Sequence, residues 1–431
     1  MIKFFSGVFF RAAVFIVAGL VLTGCASFGK GVAEAVMEKT DAEDTRVCEI
    51  FGQQFDGLKA GLSKHRKQTK VLMVHGVGVH DPGYATEFLE KLAAQLDLTV
   101  RSKYHKDISL TSFVDQDKKL GNLRITRLLD RQRSRELLFY ELTWSEITEG
   151  EKALLSFDNS GEYSFRRAEV NNMLKQFTND TGPDPIIYLG NSRNDILTAF
   201  TQSFCWMIQG DWQSLPEEGR RACNIFDGEP AEQIAQDHYA FISHSLGSRI
   251  TIDGMQRIAK ILGNPEKYLY MDGKTKEISG RMIAELRKKH LPIFMLSNQL
   301  PMLQLGREIP ETVGQEEKYC FASSPLYDKR MVSKTLIIAF SDPNDLLSYA
   351  IPQGFSEKYL DSRLCIEVTN ININIAKVID AFGLGKIANP LDAHIGYDTD
   401  DRVVALIAGG IGNAHTAPVV QERCKWIELI E

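Results

Sequence analysis

The sequence lacks the short motifs of several common metal- and nucleotide-dependent classes of enzyme. It contains no H-E-x-x-H zinc motif and no C-x-x-C pair, so the usual zinc and dithiol patterns are missing. The G-x-G of HGVGVH (75–80) is not followed by the third glycine of a dinucleotide-binding loop. We therefore predict no metal and no cofactor.

The chain also lacks a strong excess of charge. Its formal net charge is −6 over 431 residues, which gives no electrostatic basis for binding nucleic acid. No internal repeat or low-complexity tract is present, and beyond residue 22 no apolar run is long enough to cross a membrane. The length allows one large core, or one domain that carries insertions.

One long apolar run is present, and it lies at the N-terminus. Lys3 and Arg11 precede the sequence AAVFIVAGLVL (12–22), which ends in Leu-Thr-Gly-Cys at Cys25. A run of this length is typical of the core of a signal peptide and is short for a transmembrane helix. The alternative is an uncleaved membrane anchor with an incidental cysteine.

The sequence Leu-Thr-Gly-Cys resembles the lipobox of bacterial lipoproteins. The resemblance implies that residues 1–24 are a signal peptide and that Cys25 becomes the lipidated first residue of the mature chain. Ala26 stands where the inner-membrane retention signal has an aspartate. The expected location is therefore the bacterial outer membrane, with the protein lipid-anchored and facing the periplasm.

Six further cysteines follow Cys25. In an oxidising compartment an even number favours disulfide bonds, although buried free thiols are the alternative. Their spacing does not determine which pairs form. They are Cys48, Cys205, Cys223, Cys320, Cys365 and Cys424.

Short apolar runs alternate with segments of helical spacing over most of the chain. VLMVH (71–75) is typical of a strand buried on both faces, and the spacing after it predicts a helix over 86–98. This alternation predicts an α/β fold with an open, mostly parallel sheet covered by helices on both faces. The other predicted elements are a strand pair at 123–130 and 135–144, strands at 238–243, 292–296, 335–340 and 364–371, helical stretches at 166–176 and 194–208, a helix at 246–262, and a last helix at 402–408.

Two segments depart from this alternation. Residues 25–66 are mixed and polar, and we interpret them as a linker or N-terminal extension. The chain between His75 and Ser245 far exceeds the about 60 residues that two βαβ units need. We therefore predict an insertion at about 146–236, the natural place for a lid or cap, within a domain of residues 67–431.

Four motifs lie at the ends of the predicted strands, in the order HGVGVH, SHSLG, SDPNDLLSY and DAHIGY. Their order and strand context resemble the α/β-hydrolase fold, whose triad follows the chain order serine, aspartate, histidine. Among those enzymes the chain is most similar to lipase- and esterase-type members with an H-G loop. The resemblance covers roughly residues 69–420.

Ser245 is the candidate nucleophile. A nucleophile elbow is a sharp strand-to-helix turn, which requires small residues two positions before and after the serine. Ser243 and Gly247 are small, although the usual pattern has glycine in place of Ser243. The alternative is a serine that caps the helix of an ordinary βα turn.

The loop after the first predicted strand resembles the loop that completes an oxyanion hole. The resemblance implies that the backbone N–H groups of Val77 and Leu246 bind the oxyanion. Gly76 and Gly78 allow the backbone to approach a substrate closely. We interpret His75 as a structural histidine that packs this loop.

Two aspartates follow the TLIIAF strand and compete for the role of triad acid. Asp345 precedes an apolar pair, as the resemblance implies, whereas Asp342 precedes Pro343 and is typical of a turn. We favour Asp345 and keep Asp342 as the alternative. The acid would orient the imidazole and stabilise its protonated form.

Two histidines follow these aspartates. His394 lies in a predicted loop before the last predicted helix, where the fold places its base, whereas His415 lies beyond that helix. We favour His394. The aspartates after it, Asp398, Asp400 and Asp401, are explained better by helix capping than by a metal site.

The resemblance implies a lipid-anchored serine hydrolase that cleaves carboxylic esters through an acyl-enzyme. Its expected partners are an ester or lipid substrate and the membrane that holds its anchor. One alternative is a non-catalytic binding or scaffolding lipoprotein with the same fold, and another is a thioesterase or acyltransferase that uses the same site. The sequence does not determine the oligomeric state.

Overall fold

The computed structural model describes residues 46–62, 68–112, 115–156, 158, 167–223, 230–263, 280–380 and 386–427. The predicted signal peptide, Cys25 and the rest of the linker before residue 46 lie outside the described residues. No helix in the described ranges is long and apolar enough to cross a membrane.

The strands are short and, in the central part of the chain, almost wholly buried. Eleven of them form one sheet, and the others pair in two small ladders. They are β1 (Cys48–Phe51), β2 (Phe55–Asp56), β3 (Gln68–Val74), β4 (Thr99–Thr111), β5 (Lys119–Leu129), β6 (Glu136–Thr143), β7 (Glu218–Arg221), β8 (His238–His244), β9 (His290–Leu296), β10 (Lys334–Ser341), β11 (Ile366–Ile373), β12 (Ile379–Asp380), β13 (Lys386–Ile387), β14 (Gly410–Ile411) and β15 (Cys424–Trp426).

The helices connect these strands or follow them. They are α1 (Leu58–Leu62), α2 (Thr86–Gln95), α3 (Glu146–Lys152), α4 (Glu169–Thr181), α5 (Pro183–Leu189), α6 (Arg193–Gln209), α7 (Ala231–Gln236), α8 (Leu246–Gly263), α9 (Gly280–Leu286), α10 (Glu316–Tyr319), α11 (Phe355–Tyr359), α12 (Pro390–Ile395), α13 (Asp401–Gly409) and α14 (Pro418–Arg423). Single turns of 3-10 helix lie at Ala153–Leu155, Met302–Gln304, Tyr327–Lys329 and Ser362–Leu364.

The large sheet has the strand order β15-β1-β11-β10-β9-β8-β3-β6-β5-β4-β7. Its centre, from β6 through β3, β8, β9 and β10 to β11, is parallel throughout. Antiparallel pairing occurs in β4-β5-β6 and between β1 and β11. The predicted α/β class with a mostly parallel sheet is therefore confirmed, as is the predicted pairing of the strands now called β5 and β6.

Both faces of the sheet are buried. Successive residues of a strand point to opposite faces, so Leu72 and Val74 join one hydrophobic core while Val71 and Met73 join another. The first core is completed by apolar residues of α6 and α8, and the second by those of α2 and α13. This explains why the central strands are apolar at nearly every position.

Contacts divide the chain into two units, and one of the boundaries lies near the start of the predicted insertion while the other lies within it. One unit contains Gly150–Pro183, and the other contains Arg46–Glu149 with Asp184–Glu431. In the first unit, Arg167 and Lys175 both pair with Asp158. The rest of the predicted insertion belongs to the second unit, where α6 lies in the hydrophobic core and β7 pairs with β4.

The two ends of the described chain meet at one edge of the sheet. β1 lies within the stretch that composition marks as a linker, yet it pairs with β11 and β15. A disulfide joins Cys48 to Cys424 across β1 and β15. The prediction that the chain's last helix ends at 408 is wrong, because α14 follows and leads into β15. With six residues, α14 is too short for a helical periodicity to reveal it.

The remaining cysteines also pair. Cys205 on α6 bonds to Cys223, and Cys320 bonds to Cys365 at the start of β11. The expected use of all six cysteines in disulfides is therefore confirmed. Their pairing depends on which chain segments the fold brings together, and the spacing could not provide this.

Candidate active site

The candidate residues gather at one edge of the sheet. β3, β8, β9 and β10 are parallel neighbours, so their carboxyl ends lie side by side. The residues that follow these strands include the loop with Gly76, Ser245, Ser297 and Asp345. In open α/β sheets this edge is the usual place for ligands and catalytic groups.

Ser245 occupies a strained turn between β8 and α8. Its φ angle is +54°, a left-handed conformation that is uncommon for residues other than glycine and occurs often at active sites. Its N–H donates to the carbonyl oxygen of Leu296 at 2.9 Å. This is the strand, turn and helix geometry that a nucleophile elbow requires.

Gly247 explains how the turn fits against the neighbouring strand. A Cβ atom at this position would lie 2.3 Å from the carbonyl oxygen of Val74 and 2.6 Å from that of His75. Ser243, the departure from the usual pattern, is fully buried, and its Oγ lies 3.5 Å from the carbonyl oxygen of Phe294. Small residues therefore occur two positions before and two positions after Ser245.

His394 and Asp345 form a direct pair. The Nδ1 atom of His394 lies 2.9 Å from Oδ1 of Asp345. The prediction that His394 lies in a loop is wrong, because it belongs to the short helix α12. That helix is capped by Asn389, whose side chain accepts from the N–H of Leu391, and it begins at Pro390. The Asn-Pro start was the available sequence evidence for it.

Asp345 is held in its charged form by its neighbours. Burial alone would raise the pKa of this carboxyl group, but hydrogen bonds from His394, Ser297 and the N–H of Leu347 hold the pKa below its ordinary value. An ionised carboxylate on Nδ1 fixes the ring orientation and leaves Nε2 as the basic nitrogen. The pair thus has the electrostatic arrangement of a general base and its orienting acid.

Asp342, the alternative acid, has a structural role. One carboxylate oxygen accepts from the N–H groups of Ile375 and Ala376, and the other accepts from the N–H of Asn344. Its own N–H donates to the hydroxyl of Tyr397. These bonds hold the loop that carries Asp345, and among the described residues no hydrogen bond joins Asp342 to His394. The geometry therefore favours Asp345 as the acid.

Ser297 is a site residue that the sequence did not reveal. It is fully buried, has a φ angle of +48°, and donates to Oδ2 of Asp345 at 2.7 Å. Its Oγ also lies 2.9 Å from Nδ1 of His394. Because the Ser297 proton is directed at Asp345, the Nδ1–H of His394 is shared between Ser297 and Asp345. The only indication in the sequence was that Ser297 ends an apolar strand, as Ser245 does.

His244 links the strand of Ser245 to the helix of His394. Its Nε2–H donates to the carbonyl oxygen of His394 at 2.8 Å, and the two rings lie 5.3 Å apart. Burial, together with the nearby His394, lowers the pKa of His244 to about 3. His244 is therefore neutral at physiological pH and acts here as a hydrogen-bond donor.

Ser245 follows His244, which contacts His394, but Ser245 itself makes no side-chain hydrogen bond to His394 within the described ranges. The Oγ atom of Ser245 is buried and has no hydrogen-bond partner within the described ranges. Catalytic hydrogen bonds often form only when substrate is bound. The structure thus joins Asp345 to His394, and His244, the residue before Ser245, contacts His394.

The loop after β3 packs directly on Ser245. A Cβ atom on Gly76 would lie 2.7 Å from Cβ of Ser245. Val77 follows Gly76 in this loop, and Leu246 follows Ser245 as the first residue of α8. Each of the two predicted oxyanion donors is therefore the chain neighbour of a residue at this contact. The buried Asp184, in the segment predicted as an insertion, accepts from the N–H of Gly78 at 2.7 Å and fixes this loop.

His75 is a structural histidine, as predicted. Its Nε2 accepts from the N–H of Trp144 at 3.1 Å, so its Nδ1–H donates to the carbonyl oxygen of Gly76 at 2.8 Å. The ring stacks on Trp144 with centroids 4.8 Å apart. Both ring nitrogens are therefore engaged in holding the loop, which leaves none to act as a base.

The other acidic and histidine candidates have local roles. Asp400 caps α13 by accepting from the N–H groups of Arg402 and Val403. His415 follows β14, where its N–H donates to the side chain of Asn413. Within the described ranges, no group of three or more His, Cys, Asp or Glu residues could hold a metal ion.

Comparison of this chain with protein-family models, with curated proteins and with solved structures found no match. The site therefore has to be interpreted from its own geometry.

Proposed function

We propose that the chain is a serine hydrolase of the α/β-hydrolase type that cleaves carboxylic esters. The observation that carries the proposal is the strained turn at Ser245, which lies at the same edge of the sheet as a charged Asp345–His394 pair. Strain of this kind persists in a folded protein only when the surrounding structure enforces it. A buried carboxylate paired with a histidine at the same edge is the expected orienting group for a base.

The proposed reaction uses only side chains and backbone groups at this edge. His394 accepts the proton of Ser245 through Nε2 as Oγ attacks the ester carbonyl. The backbone N–H groups of Val77 and Leu246 stabilise the oxyanion, aided by the N-terminal end of α8. His394 then gives the proton to the departing alcohol, and water hydrolyses the acyl-enzyme by the same steps.

The same geometry would serve thioester hydrolysis or acyl transfer, and it would also persist in a binding protein that has lost activity. One observation favours this last candidate, which is that Ser245 has no hydrogen bond to His394. Whether Ser245 reacts with a covalent probe distinguishes an active hydrolase from an inactive binding protein.

A fluorophosphonate probe tests the nucleophile. We expect one adduct, on Ser245, that is lost in Ser245→Ala and retained in Ser203→Ala, a control at a buried serine of α6 whose hydroxyl bonds to a helix carbonyl. Labelling that survives in Ser245→Ala would exclude Ser245 as the nucleophile. A folded protein that is not labelled at all would favour the binding protein. A chain-length series of p-nitrophenyl esters then defines the acyl group, and a preference for acetate would argue against a lipase.

We also propose that the protein is lipid-anchored in the bacterial outer membrane and faces the periplasm. Three disulfides support an oxidising compartment, because thiols in the cytoplasm are kept reduced. The anchor itself rests on the sequence around Cys25. Replacing Cys25 by alanine should release the protein from the membrane fraction, and unchanged fractionation would contradict the lipid anchor.

A further inference from the structure

A cluster of three arginines surrounds one aspartate on α8. The Asp253 carboxylate accepts from Arg249 at 2.7 Å and from Arg193 at 3.0 Å, and it is also bonded to Arg307. The hydroxyl of Tyr188 donates to the same carboxylate at 2.7 Å. Side chains from α5, α6, α8 and the segment after β9 thus converge on one buried carboxylate.

The charges of this cluster do not balance. Burial would raise the pKa of Asp253, but the guanidinium groups of Arg249, Arg307 and Arg193 hold it below its ordinary value, so the carboxylate is ionised. Arginine stays protonated in proteins. Among the described residues, Asp253 is the one carboxylate that forms an ion pair with any of the three arginines. The cluster therefore carries an excess of two positive charges, which is unfavourable where water is largely excluded.

The cluster also has hydrogen-bond donors without acceptors. The Nε atoms of Arg249 and Arg193 are buried and make no hydrogen bond within the described ranges. Arg249 itself is 2% exposed, whereas the side chain of Arg193 is 40% exposed. Buried donors normally have partners. Solvent can reach the cluster at Arg193, so a ligand with acceptor oxygens could enter there.

Two of the segments that form the cluster follow residues of the proposed active site along the chain, and a third contacts its loop. Arg249 lies one turn of α8 after Ser245, about 6 Å along the helix axis. Arg307 lies at the end of the segment that starts at Ser297. Tyr188 is on α5, the helix whose Asp184 holds the N–H of Gly78. The cluster and the catalytic edge are therefore connected through α8, through the segment after β9 and through α5.

We propose that this cluster is an oxyanion subsite of the enzyme, which binds a carboxylate or phosphate group carried by the ester substrate. The inference rests on the proposed hydrolase function. An oxyanion would offset the excess positive charge and accept from the free Nε–H groups. Planar guanidinium groups match the geometry of carboxylate and phosphate oxygens. The substrate class is thus an anionic ester.

The first experiment compares p-nitrophenyl esters of dicarboxylic acids with neutral esters of equal chain length. We expect the wild-type protein to prefer the anionic member, with the ratio of kcat/KM values largest at one spacer length. Arg193→Gln and Arg307→Gln should lower this ratio about ten- to hundredfold, since each removes a charge-assisted hydrogen bond. Each variant is assayed with the neutral ester as well, so that a general loss of activity cancels in the ratio. The matched control is Arg220→Gln, an exposed arginine of β7 paired with Asp117, which should keep the ratio.

A second experiment measures oxyanion binding without catalysis. Inorganic phosphate at constant ionic strength should raise the Tm of the wild type, of Ser245→Ala and of Arg220→Gln, but not that of Arg193→Gln. Vesicles of phosphatidylglycerol and of phosphatidylcholine distinguish a lipid headgroup from a soluble acid. Faster hydrolysis of the anionic vesicles assigns the oxyanion to a lipid, and preference confined to the soluble dicarboxylic esters assigns it to a small acid.

The outcomes separate this inference from the function it rests on. Hydrolysis of neutral esters that requires Ser245, with no anionic preference and no effect of phosphate, would overturn the subsite and leave the hydrolase intact. Variants at Arg193 and Arg307 that lower stability but keep the ratio would mean that the cluster only holds α5, α6 and α8 together, which also overturns it. Phosphate binding that is lost in Arg193→Gln supports the subsite even if no ester is cleaved.

Discussion

The hydroxyl group of Ser297 donates a hydrogen bond of 2.7 Å to Asp345, and the same oxygen lies 2.9 Å from Nδ1 of His394. Ser297 therefore contacts both members of the proposed base and acid pair. Its backbone is left-handed, as is that of Ser245 at the end of the neighbouring strand. A single hydroxyl thus orients the carboxylate and completes the environment of the imidazole.

Replacing Ser297 by glycine should lower kcat/KM about tenfold or more, because one hydrogen bond to a charged group is lost. Glycine is the appropriate deletion, since it adopts a φ angle of +48° without strain. Ser297→Ala is the companion variant, which also lacks the hydroxyl but keeps the Cβ. The decisive measurements are kcat/KM over a range of pH and urea unfolding. Wild-type kcat/KM in a folded Ser297→Gly protein would contradict the positioning role.

Replacing Gly247 by alanine should destabilise the fold by about 3 kcal/mol and abolish activity. The added Cβ would lie 2.3 and 2.6 Å from the backbone carbonyl oxygens of Val74 and His75. Backbone atoms cannot rotate away as the end of a flexible side chain can. Gly150→Ala is the matched control, because its Cβ would meet nothing within 4 Å in helix α3 and alanine favours a helix. Thermal or urea unfolding measures the stability of both variants, and an equal loss of stability at the two positions would contradict the close contact.

His244 should make stability depend on pH in the acid range. Its pKa falls from 6.5 to about 3 in the folded protein, so between these values the unfolded chain binds a proton that the folded protein does not. Its contribution is fully present above pH 6.5 and is lost as the pH falls toward 3, by at most about 1.4 kcal/mol per pH unit. The free energy of unfolding of the wild type should therefore drop faster than that of His244→Gln between pH 6.5 and 4.5. Parallel curves would show that His244 is not protected from protonation.

Loss of the Cys48–Cys424 disulfide should cost about 2–4 kcal/mol of unfolding free energy. The bond joins strands of four and three residues at the sheet edge and spans 376 residues. The double variant Cys48→Ala/Cys424→Ala should lose more than Cys205→Ala/Cys223→Ala, whose bridge spans 18 residues, since a longer closed loop restricts the unfolded chain more. Urea unfolding under non-reducing conditions gives the unfolding free energies of the two double variants. A larger loss in Cys205→Ala/Cys223→Ala would contradict this account.

The sequence by itself determined the central part of the fold. The strands β3, β8, β9 and β10 contain runs that are apolar on both faces, and that composition is a local consequence of burial between two layers of helices. Their glycine- and serine-containing ends marked the loop at Gly76 and the turn at Ser245. The order of Ser245, Asp345 and His394 could be read for the same reason, since each follows a recognisable strand or loop.

Only the tertiary structure decided what depends on distant residues. β1 and β15 are too short to show a periodicity, and they exist as strands because each pairs with a partner far away in the sequence. The same holds for the disulfide pairs, for the hydrogen bond from Gly78 to Asp184, and for the hydrogen bond that joins His394 to Asp345. Ser297 is one serine among many in the sequence, and it becomes part of the site because parallel pairing of β8, β9 and β10 brings their carboxyl ends together.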